Sequence, residues 1–94
     1  MSFDRWASMA KYRIEISATA EKQLHKLPRD AQKRVVRSIL RLEEEPRPRG
    51  CRKLAGYEDV FRIRVGTYRV IYSIENETIV VVVLKVGHRK DVYR

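Results

Sequence analysis

The sequence predicts an α+β fold: an N-terminal strand, a helical hairpin, then a three-stranded antiparallel meander, in the order β-α-α-β-β-β. Three observations lead there. Residues 12–17 and 61–72 alternate apolar and polar side chains with the period of two expected of half-buried strands. Ala31, Val35, Ile39 and Leu42 recur at helical spacing. Residues 79–86 form a nearly unbroken aliphatic run, the pattern of a strand interior to a sheet and covered on both faces.

Along the chain, residues 1–10 carry no clear periodicity, and Met9 offers a second start, so a tail is expected there, with Trp6 as its one anchor. Residues 11–94 are expected to form a single domain. Tyr12, Ile14 and Ile16 alternate with Arg13, Glu15 and Ser17 as the first strand, and Ser17 offers an N-cap to the helix that follows. Ala20, Leu24 and Leu27 space out that short helix until Pro28, which is expected in the first turn of the second helix. The second helix carries Arg29, Lys33, Arg37 and Arg41 on its outward side and stops before Pro46 and Pro48. Residues 46–59 read as irregular.

Phe61, Ile63 and Val65 interleave with Arg62 and Arg64, and Tyr68, Val70 and Tyr72 interleave with Arg69 and Ile71. Only Gly66 and Thr67 separate the runs, and glycine first suits a two-residue type II′ turn. That turn sets Val65 opposite Tyr68, Arg64 opposite Arg69 and Ile63 opposite Val70. Apolar side chains then share one face, and Arg62, Arg64 and Arg69 share the other. Like charges directly across a strand pair destabilise a sheet. A polyanion would relieve that repulsion, and the planar fork of arginine binds phosphate through two hydrogen bonds. Beyond Ile74, a second two-residue turn centred on Asn76 and Glu77 would place Arg69 opposite Leu84 and return residues 87–94 to the arginines.

At 94 residues with a net charge of +9, the chain is one small domain suited to an acidic partner. Residues 46–94 hold 11 Lys and Arg against 5 Asp and Glu, whereas residues 1–45 hold 10 against 7, so the bias lies with the arginine strands. A lone Cys51 excludes an internal disulfide framework, and with no signal peptide or long apolar run a reducing cytoplasm is the expected location. His25, His88 and Cys51 have no metal-ligand spacing, and there is no glycine-rich nucleotide loop, so neither metal nor cofactor is expected.

The assembled site would hold Arg62, Arg64, Arg69 and Arg89, with His88 and Tyr93 as the groups able to exchange protons. Arg52, Lys53, Lys90 and Arg94 are expected to bind RNA around it. This inventory fits metal-free RNA cleavage, in which the substrate's own 2′-hydroxyl attacks the adjacent phosphorus. Arginine stays protonated and stabilises negative charge, while either His88 or Tyr93 could serve as base. The structural alternatives are a turn role for His88 and ring packing for Tyr93.

Lys53-Leu54-Ala55-Gly56, Phe61-Arg62-Ile63-Arg64, Gly66 to Tyr72, and Val86-Gly87-His88-Arg89 ending in Val92-Tyr93 together resemble the RelE/ParE toxin superfamily, specifically its RelE-like ribonucleases. The similarity spans roughly residues 11–94. It implies a toxin of a type II toxin–antitoxin pair that cuts messenger RNA in the ribosomal A site, with a cognate antitoxin, the ribosome and mRNA as partners and no membrane. It also implies catalytic roles for the basic residues at 62, 64, 69 and 89 and for Tyr93. Arginines stand at 62 and 64 where lysines are familiar, His88 replaces a basic residue, and the chain stops just after Tyr93. A ParE-like gyrase poison without catalysis and an inactive RNA-binding module are the competing readings.

Overall fold

The computed structural model describes residues 12–88. Strand β1 spans Arg13–Ile16, helix α1 Ala18–His25, helix α2 Arg29–Arg41, and strands β2 to β5 span Arg52–Lys53, Val60–Val65, Tyr68–Glu75 and Val80–His88. They form one five-stranded sheet in the order β1-β5-β4-β3-β2. The expected tail at residues 1–10 and the segment 89–94, which carries Arg89, Lys90, Tyr93 and Arg94, lie outside the described residues.

β3, β4 and β5 form the antiparallel meander the sequence predicts, while β1 pairs in parallel with β5, making the sheet mixed. β2 is an addition: residues 46–59 are not wholly irregular, since Arg52 and Lys53 pair with Arg62 and Phe61. Two residues are too few to show a period.

Ser17 is the N-cap of α1. Its Oγ accepts from the Ala20 amide at 3.0 Å and donates to the Leu84 carbonyl of β5, also at 3.0 Å. The residue thus joins the helix start to the sheet. Ser17→Ala is expected to cost about 1–2 kcal/mol, lowering the melting temperature by roughly 4–8 °C per kcal/mol in a thermal unfolding experiment. Pro28 sits one position earlier than expected, at the N-cap of α2, where its carbonyl accepts from the Gln32 amide. Its missing N–H costs nothing there.

Both helices cover one face of the sheet, α1 over β5 and α2 over β3 and β4. Val35, Ile39 and Leu42 of the α2 side meet Phe61, Ile63, Val70, Tyr72, Val81 and Val83 in the core. β5 lies inside the sheet as expected, but no described helix covers its other face, where Val82 is half-buried. Among the described residues no helix is long and apolar enough to cross a membrane.

Candidate functional site

The β3–β4 hairpin has the register that its turn dictates: Val65 opposite Tyr68, Arg64 opposite Arg69, Ile63 opposite Val70. Gly66 adopts φ 62°, a left-handed value that glycine reaches without a Cβ penalty. Phe61, Ile63 and Val65 point into the core, so Arg62, Arg64 and Arg69 fall on the face the helices leave open.

The β4–β5 connection differs from expectation. Glu75 pairs with Val80, giving a four-residue loop that carries Ile79 at φ 58°. Between Ile71 opposite Lys85 and Tyr72 opposite Val83, β5 accommodates Leu84 as an extra residue. A bulge of one residue exchanges the faces of everything beyond it. Arg69 therefore faces Gly87 instead of Leu84, and His88 faces Tyr68 on the opposite side of the sheet from the three arginines. The His88 and Tyr68 rings meet edge-on with centroids 6.0 Å apart. The expected convergence of His88 with the arginines is thus corrected by the register, although the strand end still returns beside the Gly66 turn.

The same exchange brings Lys85 onto the arginine face, a residue the sequence reading missed because its two-residue turn put Lys85 on the apolar side. Two rows result. Arg52, Arg62, Ile71 and Lys85 lie in register across β2 to β5, and Arg64, Arg69 and Gly87 form the next row. Gly87 brings no side chain beside Arg69, which leaves room for a ligand to approach the backbone. Arg69 is half-buried, and its Nε is enclosed without a hydrogen-bond partner among the described residues. Ile71 is buried between Arg62 and Lys85. Lys53, paired with Phe61, falls on the alternate face from Arg52 and is separated from the arginine rows.

Chemically, this face can bind consecutive phosphates and stabilise charge growing on one of them. Lys85→Ala is expected to weaken the binding of a phosphate-bearing oligomer about tenfold, a change of about 1.4 kcal/mol. Lys85→Arg should restore most of the affinity in the same titration. Among the described residues no group of three or more His, Cys, Asp or Glu is placed to hold a metal ion.

Comparison with known proteins adds four findings. Residues 14–93 match the family described as the ParE toxin of the type II toxin–antitoxin system parDE. Toxin RelG of Mycobacterium tuberculosis is 41% identical over 91 residues, covering 88% of this chain and 97% of that protein. Among solved structures, the RelBE2 toxin–antitoxin complex of Mycobacterium tuberculosis is similar with a TM-score of 0.76 and 38% identity, over 88% of this chain and 97% of that one. The archaeal RelE–RelB complex of Pyrococcus horikoshii is similar with a TM-score of 0.76 and 36% identity, over 87% and 99%.

Proposed function

This chain belongs to the RelE/ParE superfamily of type II toxins, and from that premise we propose that it is a ribosome-dependent endoribonuclease that cuts messenger RNA in the A site. The observation that carries this reading is the direct opposition of Arg64 and Arg69, with Arg62 one row away, on the sheet face that no described helix covers. A polyanion relieves the repulsion between these arginines, and the same preorganised cations stabilise the further negative charge that builds up in a dianionic transition state.

In the proposed reaction the 2′-oxygen gives up its proton and bonds to the neighbouring phosphorus. The bond to the 5′-oxygen then breaks, and that oxygen takes a proton as it leaves. Arg62, Arg64, Arg69 and Arg89 would stabilise the charge on the phosphoryl oxygens. Tyr93 is the favoured proton-exchanging group, because the register takes His88 to the other face. The reaction needs no cofactor, and the protein would act in the cytoplasm, where translating ribosomes and messages are found.

The structures of relatives contain RelB antitoxins, and we assign this chain a cognate antitoxin of the same kind. The outward face of α2 suits it: Val36 and Leu40 are exposed between Arg29, Lys33 and Arg37, a pattern that fits an acidic, apolar segment.

The test is to express the chain under tight induction and map new message ends on translated and untranslated copies of one transcript. Cuts confined to the translated copy are expected. Growth arrest with intact messages would favour the second reading, a gyrase poison, which the ParE family match supports. Tyr93→Phe should abolish arrest by a nuclease and leave arrest by a binder unchanged.

A further inference from the structure

A second cationic feature lies beyond the edge of the arginine face. A cleft of about 360 Å³ opens between the C-terminal part of α2, the 48–52 segment and β3, and its walls include Ser38, Arg41, Arg49, Arg52, Ile63 and Arg64. That volume is within the ~300–1,000 Å³ typical of ligand clefts. Four of these side chains are arginines, and among the described residues lining the cleft none is acidic.

The backbone brings the arginines there from three separate elements. Arg41 occupies the last turn of α2. Arg49 is carried by a turn in which the Cys51 amide bonds to the Pro48 carbonyl at 3.1 Å and Gly50 adopts φ 91°, a left-handed value that favours glycine. Arg52 is on β2 and Arg64 on β3. Because β2 pairs only with Phe61 and Arg62, the chain departs from β3 just where the cleft opens beside Ile63 and Arg64. A helix C-terminus accounts for one cation, but it does not account for three more converging from a turn and two strands.

We propose that this cleft is a separate phosphate subsite, which holds a phosphodiester of the RNA strand next to the one on Arg64 and Arg69. Arg64 belongs to both places, since it faces Arg69 across the hairpin and also lines the cleft. Strands lie ~4.8 Å apart, so a strand of RNA crossing from β4 over β3 arrives at the sheet edge beside Arg64, and rounding that edge brings it to the cleft between β3 and α2. Ser38 adds a neutral hydroxyl donor, and Ile63 closes the floor. The RNA occupant rests on the function proposed above, whereas the anion site itself rests on the cleft alone.

The experiment is binding of a 2′-O-methyl RNA hexamer, which lacks the attacking hydroxyl and so is not cut, to the whole protein over a range of salt concentrations. The double variant Arg41→Ala/Arg49→Ala touches the cleft and not the Arg62, Arg64 and Arg69 face. Both residues are exposed, so the fold should persist. We expect affinity to fall about tenfold or more, with the slope of log affinity against log salt shallower by about 0.7, the release of one phosphate contact on a single strand. Lys22→Ala/Lys26→Ala, at exposed positions in α1 and directly after it, removes the same charge and should leave the slope unchanged.

Equal losses in both double variants, no loss in either, or no binding of the hexamer by the unsubstituted protein would overturn the subsite. So would an Arg41→Ala/Arg49→Ala effect confined to an acidic antitoxin peptide, which would give the cleft to that partner. Message cutting is scored separately. A lost hexamer effect with cutting retained removes the cleft alone, and a retained effect without cutting keeps the subsite while removing the nuclease.

Discussion

Arg69→Ala is expected to abolish message cleavage and growth arrest while the protein remains folded. Arg69 lies opposite Arg64 on one side and Gly87 on the other, at the centre of the second cationic row. Its Nε is enclosed by protein, so the root of the side chain is held and little freedom is lost when a phosphate arrives. Removing one preorganised donor of this kind costs about 10²–10³ in rate, roughly 3–4 kcal/mol of barrier. Cleavage on programmed ribosomes measures the loss, and a thermal melt of the same preparation checks the fold. Arg69→Lys is expected to recover only part of the rate, since an ammonium does not reproduce the two-pronged grip of guanidinium. A variant that keeps full cutting would sink the phosphate-site argument.

The largest stability effect is expected at Tyr72. Its side chain is fully buried, its ring stacks on Phe61 with centroids 6.0 Å apart, and its hydroxyl donates to the Pro46 carbonyl at 2.7 Å. Arg47 lies over the Phe61 ring at 5.2 Å, so the same cluster fastens the segment after α2 to the sheet. Tyr72→Ala should destabilise by about 3–5 kcal/mol, a large share of the roughly 5–15 kcal/mol available to a domain. Tyr72→Phe keeps the ring and leaves the carbonyl unpaired, for about 1–2 kcal/mol. Burial, reinforced by neighbouring Cys51 and opposed by Arg47, pushes the Tyr72 phenol well above the usual tyrosine range. The folded state therefore keeps a proton that the unfolded chain releases from about pH 10. This contribution is complete below that pH and is lost as pH rises further. Denaturant titrations should show that alkaline decline, reduced in Tyr72→Phe.

How much of this was legible in the sequence depends on where the deciding interaction lies along the chain. The arginine hairpin was readable because alternation and Gly66-Thr67 fix its register within a dozen residues. Ser17 was readable for the same local reason. The β4–β5 connection was not, because Asn76-Glu77 resembles a short turn, while the real loop needs Ile79 in a left-handed conformation that β-branched residues rarely adopt. No local signal marks the extra Leu84, whose carbonyl accepts from Ser17 in a distant segment. That one residue decides whether Lys85 or His88 shares a face with Arg69. The parallel pairing of β1 with β5 was equally hidden, since it joins residues some 67 positions apart.

That pairing also sets an order of assembly. β5 lies between β1 and β4, yet it is the last of the described strands to be synthesised. A nascent chain that has not reached Val80 holds β1 without its parallel partner and the β3–β4 hairpin without its inner neighbour. Long-range pairing of this kind is slow, because closing the loop costs entropy before any contact repays it. Lys85 and Gly87 complete the cationic rows only when β5 docks. The cationic rows are therefore complete only once the last described strand has docked between its two neighbours, whichever part of the sheet forms first.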